Sequence, residues 1–295
     1  MKHSRRESML LVVPVEVIFL GLFSCLGAIP LRAQTGFRGI ADELVTSSGS
    51  SASARQTAAN AGGPSVGTDR IPRGAILPVV LRSALCFDKA RPGQVLHGEI
   101  AQDVPFGSSA GIHKGARVEG HALEATPSGN GSATTVKIQF DKVNVGGQWM
   151  PVVTDLRAIA GFMTVIEAGI PVEAPAEGSP YNWLPKEQIG GDTAYGVGGP
   201  VRSADGSKVI GKFLGDGVLG QASAKEGTPC RGPLDHNNNP QALWVFSSAA
   251  CGIYGIKHLE IQHAGRTDPV GTIVLASHVR NLKLRDGDGL LLRVN

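Results

Sequence analysis

Gly107-Ser108-Ser109-Ala110-Gly111 has the GxSxG spacing of a serine nucleophile. That chemistry needs a strand before the serine and a helix after it, so that a strained turn lifts the hydroxyl toward a base. Here Pro105-Phe106 precedes and Ile112-His113-Lys114-Gly115 follows, which is hairpin-loop sequence. Gly215 to Gly220 (GDGVLG) has the GxGxxG spacing of a dinucleotide loop, which needs a helix whose N-terminus meets the pyrophosphate. Pro229 leaves little room for that helix. Asp235, Asn237 and Asn239 place oxygen ligands at alternate positions, as a calcium loop does. Pro240 then stands where such a loop uses glycine and Phe246 where it uses glutamate. Asx-rich turns form without metal, so a turn is expected here and calcium is the rival. His258 and His263 are five residues apart and would point to opposite faces of a strand. His97, His121 and His278 lie in expected strands that only tertiary structure could bring together. No motif here implies a cofactor, and a hydrolase using Ser109 or a histidine cluster is the minority expectation.

Aromatic residues make up only 5% of the chain, yet Tyr181, Trp183, Tyr195, Trp244, Phe246 and Tyr254 all fall within the segment 170–255. Two roles compete for them. They could form a small core stapled by a disulfide, or an exposed platform for a glycan or peptide, since amphipathic rings stack while one edge stays wet. Cys230 and Cys251 are the predicted disulfide, because they bracket a Pro- and Asn-rich stretch with little apolar content of its own. Cys86 ends an apolar run and is predicted to be a small core residue. The CxxC and HxxxH spacings of metal sites do not occur.

The elements that would position these groups are mostly strands. Forty glycines and few aromatics make a turn-rich, β-leaning composition. Ala75–Leu85 is apolar and branched, as a buried strand is. In Val95–Ile100, Val95, His97 and Glu99 alternate with Leu96, Gly98 and Ile100. Ala116–Leu123 is a further strand. Thr134–Val143 alternates cleanly, with Val136, Ile138 and Phe140 on one face and Lys137, Gln139 and Asp141 on the other. Trp149–Val153 returns the chain. Leu156, Ile159, Ala160, Met163 and Ile166 recur at helical spacing, which predicts a helix over 155–169 with a further strand as the alternative. Pro171, Pro175 and Pro180 enforce an extended connector, and 181–255 is Gly-rich with short apolar pieces. Leu259–Gln262, Gly271–Ser277, Asn281–Leu284 and Leu290–Val294 are β again, the last after an Asp-Gly turn.

Compartment follows from the N-terminus. Lys2, Arg5 and Arg6 precede an almost wholly apolar Met9–Leu31, and Ala33 offers a small residue for cleavage. That order predicts a secretory signal over 1–33. The same stretch is long enough to span a bilayer as an anchor, although Pro14 and Glu16 weigh against that. Ser24-Cys25 leaves lipoprotein processing as a third route. Residues 34–70, rich in Ser, Ala and Gly, read as a flexible tether. Formal charge is +3, of which residues 1–33 carry +2, so the remainder is near neutral and lacks the clustered basic face of a nucleic-acid binder.

Four segments share a pattern with a known family: IPRGAILPVVLRSAL, ARPGQVLHGEIAQDV, IHKGARVEGHAL and VKIQFDKVNVGGQWMPV. Residues 71–153 resemble the C-terminal β-barrel domain of the VirB10/TrbI family, the envelope-spanning scaffolds of type IV secretion systems. Gly74, Pro92-Gly93, Gly115 and Gly120 occupy that family's turn and strand-end positions, and NLKLRDGDGLLLRV looks like its final hairpin. The resemblance implies an envelope barrel that assembles with itself or with other envelope proteins. It brings no catalytic signature. The family's long proline-rich arm is missing, and residues 170–255 have no counterpart in it.

The expected architecture is therefore mainly β: an antiparallel barrel or sandwich with one short helix and a Gly-rich, disulfide-stapled insertion. Residues 71–169 and 256–295 would build the barrel, and 170–255 would form an irregular insertion. The expected role is that of an exported, non-enzymatic envelope protein, in the periplasm or at the outer membrane, with an inner-membrane anchor through residues 9–31 as the alternative. A glycan- or peptide-binding module using the aromatics around Trp183 and Trp244 is the competing expectation.

Overall fold

The computed structural model describes residues 70–106, 110–127, 133–223, 230 and 239–295. The expected signal, residues 34–69 of the expected tether, and Ser109, Asp235 and Asn237 lie outside them.

The chain is mainly β, with twenty strands among the described residues. The first half holds β1 (Ile76–Leu81), β2 (Leu85–Cys86), β3 (Val95–Ile100), β4 (Val104–Phe106), β5 (Ala110–Ile112), β6 (Arg117–Thr126), β7 (Thr134–Val145), β8 (Gln148–Pro151) and β9 (Thr154–Ala160). One α-helix follows, α1 (Phe162–Glu167). Next come β10 (Pro185–Glu187), β11 (Thr193–Tyr195), β12 (Pro200–Arg202), β13 (Val209–Leu214), β14 (Gly217–Gly220) and β15 (Gln241–Trp244). The tail holds β16 (Gly252–Tyr254), β17 (Leu259–Ala264), β18 (Ile273–Ser277), β19 (Lys283–Leu284) and β20 (Gly289–Val294).

Ten strands form one sheet in the order β16-β9-β20-β1-β3-β6-β7-β18-β17, with β8 paired to β7. This sheet curls into a half-barrel. One face of it collects Leu77, Val79, Leu96, Val136, Ile138, Phe140, Leu290 and Leu292 into one buried core. The alternation in β3 and β7 serves that face: Leu96, Ile100, Val136, Ile138 and Phe140 are buried, whereas His97 and Lys137 are not. Close approach between β6 and β7 needs a glycine on β6. A Cβ at Gly120 of β6 would run into the Gln139 carbonyl and the Phe140 ring. Gly74 and Gly115 take positive φ (81° and 83°) in the turns that launch β1 and β6, a conformation glycine adopts without cost.

A second sheet, β10-β11-β12-β13-β14-β15, is a six-stranded antiparallel meander. Its apolar side chains share a separate core with the half-barrel: Ala194, Val201, Phe213, Val218 and Leu243 meet Ile76, Ala158, Ala160 and Leu291. Strands β1, β9 and β20 are therefore covered on both faces, and β9 and β20 are buried at every position.

That double burial corrects the helix expected over 155–169. Its first part is β9, whose apolar residues serve two cores rather than one helical stripe, and only Phe162–Glu167 is helical. Residues 170–255 also differ from expectation. Where the sequence predicts irregular chain, the meander is built from strands of three to six residues, and Gly252–Tyr254 joins the half-barrel, parallel to β9. Cys230 and Cys251 are disulfide-bonded, and Cys86 is buried, both as expected.

Candidate functional site

The six aromatics do not converge on one place. Tyr181 and Trp183 lie in a short 3-10 turn, Pro185 of β10 pairs with Tyr195 of β11, and the Trp183 backbone packs against Gly196. These three rings face solvent at 56%, 66% and 44% exposure, and Val172 and Val197 are exposed nearby in the chain. Val172 N–H donates to the Pro185 carbonyl, which ties that residue to the same edge. Phe246 is the opposite case: it is fully buried and meets Trp244 edge-on at 6.3 Å, so it contributes to the second core and not to a platform. The Trp244 N–H donates to Gln102 Oε1 at 2.6 Å, and the Tyr254 hydroxyl accepts from the Cys251 N–H at 3.1 Å.

The other sequence candidates are dispersed. Phe106 pairs with Ala110 on either side of the GxSxG serines, an antiparallel hairpin rather than a strand-to-helix elbow. Gly215–Gly220 is the turn and second strand of the β13–β14 hairpin, with no helix after it among the described residues. Asn239 is exposed, and its carbonyl accepts from Gln241 Nε2. Among the described residues no group of three His, Cys, Asp or Glu could hold a metal ion. His97 and His121 share the outer face of β3 and β6 with Glu119, and His121 Nδ1 lies 2.9 Å from Asp141. The Lys142 ammonium, hydrogen-bonded to Glu119, holds that carboxyl below its usual range. His263 and His278 lie elsewhere, the first against Thr267 and Thr272, the second 3.8 Å from Glu260.

Sequence reasoning missed a site where the two ends of the curled sheet meet. Strand β17 comes within 8 Å, Cα to Cα, of both β16 and β9 without a ladder pairing among the described residues. A cleft of about 440 Å³ fills this seam. Leu156, Ile253, Ile261 and the Cys230–Cys251 disulfide form its apolar wall, and Arg157, His263 and Arg266 its polar one. Behind it lies a buried charge cluster. Asp155 is 1% exposed and accepts from Arg293 at 2.7 and 2.8 Å and from Arg266 at 3.2 Å. Arg266 also donates to the Leu156 carbonyl, which ties the loop after β17 to β9 across the seam. Arg157, 3% exposed, donates through Nη2 to the carbonyls of Ser223 and Ser248. Its Nε is buried with no hydrogen-bond partner. Burial, with repulsion from Arg266 and Arg293, pulls the Arg157 guanidinium down to about 10.

A β-bulge puts Arg157 there. Leu291 pairs with Ala158 and Leu292 with Leu156, so Arg157 is the extra residue on β9, and bulges re-aim side chains in this way. The available signal was two charged residues, Asp155 and Arg157, inside an apolar run.

A shallower cleft of about 310 Å³ lies between α1 and the β10 edge, lined by Thr164, Glu167, Glu187, Gln188 and Tyr254. Gln188 Oε1, and Ser247 Oγ beside Gly190, are buried there without partners.

The disulfide fits an oxidising, exported setting, and no helix among the described residues is long and apolar enough to cross a membrane. No known protein family, curated protein or solved structure matches the chain.

Proposed function

We propose that this is an exported, non-enzymatic envelope protein that works by assembly, using the surface around Tyr181, Trp183 and Tyr195 as its contact. The observation that carries this reading is the exposure of those three rings on one edge of the meander in a chain otherwise poor in aromatics. Large rings left in water are characteristic of interaction surfaces, where aromatic anchors dominate binding. The signal-like order of residues 1–33 and the disulfide support export to the periplasm or outer membrane. The likeness of residues 71–153 to VirB10/TrbI barrels supports an assembly role with itself or with other envelope proteins. The dispersal of the described histidines and carboxylates supports a non-enzymatic one.

The test is native mass after mild detergent extraction, for the full chain and for a Trp183→Ala/Tyr195→Ala variant. The expected result is a defined assembly that falls to monomer in the variant while thermal unfolding is unchanged. A monomer in both preparations overturns the proposal. Exposed Trp and Tyr rings also suit stacking on a sugar. Retention of the wild type on a polysaccharide resin, lost in the variant, would replace assembly by glycan binding.

A further inference from the structure

A surface helix ordinarily lays its apolar stripe on the core and leaves polar side chains in water. Helix α1 does the reverse. Val165 lies close against Gly289 and Thr164 against Gly255, and Ala168 at the C-terminal end is buried. Phe162, Met163 and Ile166 fall on the opposite face by helical spacing, and all three are exposed, Met163 by 59%. Ile170, just beyond the helix, is exposed as well, and Glu167 borders the face. Basic side chains adjoin it. Asp288 accepts from the Phe162 N–H at 2.8 Å and from the Arg285 N–H at 2.7 Å, so one carboxylate holds Arg285 beside the start of the helix. The Phe162 ring lies against Gly287 of the same turn. Lys283 precedes Arg285 on β19 and pairs with Cys86 of β2, which runs on to Lys89 and Arg91. Around this turn Arg82, Lys89, Arg91, Arg280, Lys283 and Arg285 outnumber Asp88, Asp286 and Glu99.

We infer that α1 and the turn bearing Arg285 form a contact for the surface of an anionic lipid bilayer, with Phe162, Met163, Ile166 and Ile170 entering the headgroup boundary and Lys283 and Arg285 meeting lipid phosphates. Apolar side chains beside Lys and Arg are the composition of interfacial helices, whose binding combines buried apolar area with attraction to anionic headgroups. The four apolar side chains carry no hydrogen-bonding group that would fix the orientation of a protein partner, and lipid demands none. A second copy is a poorer fit. A two-fold contact centred on this face returns the same basic rim from the partner, and like charges across an interface are costly. The contact shares only the envelope setting with the proposed role. It lies apart from the rings at Tyr181, Trp183 and Tyr195 in sequence and does not require assembly.

The test places a nitrobenzoxadiazole fluorophore at Met163→Cys in the full-length protein, with Cys25→Ser so that residue 25 takes no label. Cys86 is buried and Cys230 and Cys251 are bonded, so they stay unlabelled. A local probe reads this face whatever the N-terminal segment does. Titration with phosphatidylcholine vesicles containing about 30% phosphatidylglycerol should move the emission to the blue, and pure phosphatidylcholine should do so only weakly. A label at Val209→Cys, exposed on β13, should not respond. Arg285→Gln keeps the N–H that Asp288 receives and should weaken the affinity for anionic vesicles roughly five-fold, the effect of one charge near such a surface. Ile166→Gln should weaken it roughly five- to ten-fold by withholding a partly exposed apolar side chain from lipid. Trp183→Ala/Tyr195→Ala should leave the response unchanged, which separates this contact from the assembly role. No blue shift on anionic vesicles, an equal shift at residue 209, or unchanged affinity in Arg285→Gln and Ile166→Gln would each overturn the inference. So would blue emission without lipid that is lost on dilution, which would assign the face to a second copy.

Discussion

Replacing Asp155 by Asn tests the charge cluster that holds the seam. The carboxylate is almost fully enclosed and receives a two-pronged contact from Arg293, directly opposite it on β20, and a third from Arg266. Asn keeps the shape but loses the charge, and it turns an N–H₂ toward guanidinium donors. Buried Arg157 and Arg293 and half-buried Arg266 would then face one another without the carboxylate. Removing one partner of a buried ion pair costs about 3–5 kcal/mol. The side chains involved are 1%, 11% and 14% exposed, so solvent screening does not reduce that figure much. For a domain of this size each kcal/mol moves the melting temperature by roughly 2–4 °C, so a fall of about 10 °C is expected. Urea unfolding followed by far-UV circular dichroism should show a lower midpoint with an unchanged slope. Asp155→Leu combined with Arg293→Leu should recover much of the loss, and the double-mutant cycle gives the coupling. A loss below about 1 kcal/mol for the Asn variant would refute the reasoning, because it would mean that the pair is solvated and that the seam is held by something else.

Opening the disulfide with Cys230→Ser and Cys251→Ser releases a loop with a sequence separation of 21 residues, and its closure entropy predicts a loss of about 3 kcal/mol in urea unfolding; a shift under about 1 kcal/mol would show that the loop is held without the bond. Asp288 accepts from the Phe162 and Arg285 N–H groups, yet burial raises its carboxyl above the usual 3.8. The folded state therefore binds a proton more readily than the unfolded one just above that pH, and this contribution to stability falls as pH climbs through the window. Asp288→Asn removes that slope, so the stability gap between wild type and variant should narrow as pH rises from 3.5 to 6, and a widening gap would contradict the assignment.

Strands with one wet face were readable because their sequence records which face is dry. Val136, Ile138 and Phe140 alternate with Lys137, Gln139 and Asp141, and β7 follows that alternation. The same holds for β3 and for the glycine turns at Gly74 and Gly115. Alternation vanishes once both faces are dry. In β9 every position is buried, and Leu156, Ile159 and Ala160 then match a helical period as well as an extended one. The meander failed for another reason. Strands such as Thr193–Tyr195 and Pro200–Arg202 are too short to show any period, and their turns lie in glycines scattered over a segment that reads as loop.

The missed cleft follows from the same two circumstances. A strand covered on both faces has no solvent side on which to place a charge, so Asp155 and Arg157 must be satisfied internally or left wanting. Asp155 is satisfied by arginines from β20 and from the loop after β17, residues 138 and 111 positions away in sequence. No local pattern encodes that meeting. The bulge then rotates Arg157 out of the alternation and into the seam, where two carbonyls hold one end of its guanidinium and nothing holds Nε. The aromatic residues, by contrast, drew notice through their rarity, but rarity does not separate a buried Phe246 from an exposed Trp183. What separates them is which face of which sheet they occupy, and that is set by the packing of the meander on β1, β9 and β20. Charged residues inside apolar runs are thus the more useful signal in this chain, because a double-faced core leaves them few places to go, and the place they went is the seam where the two ends of the half-barrel meet.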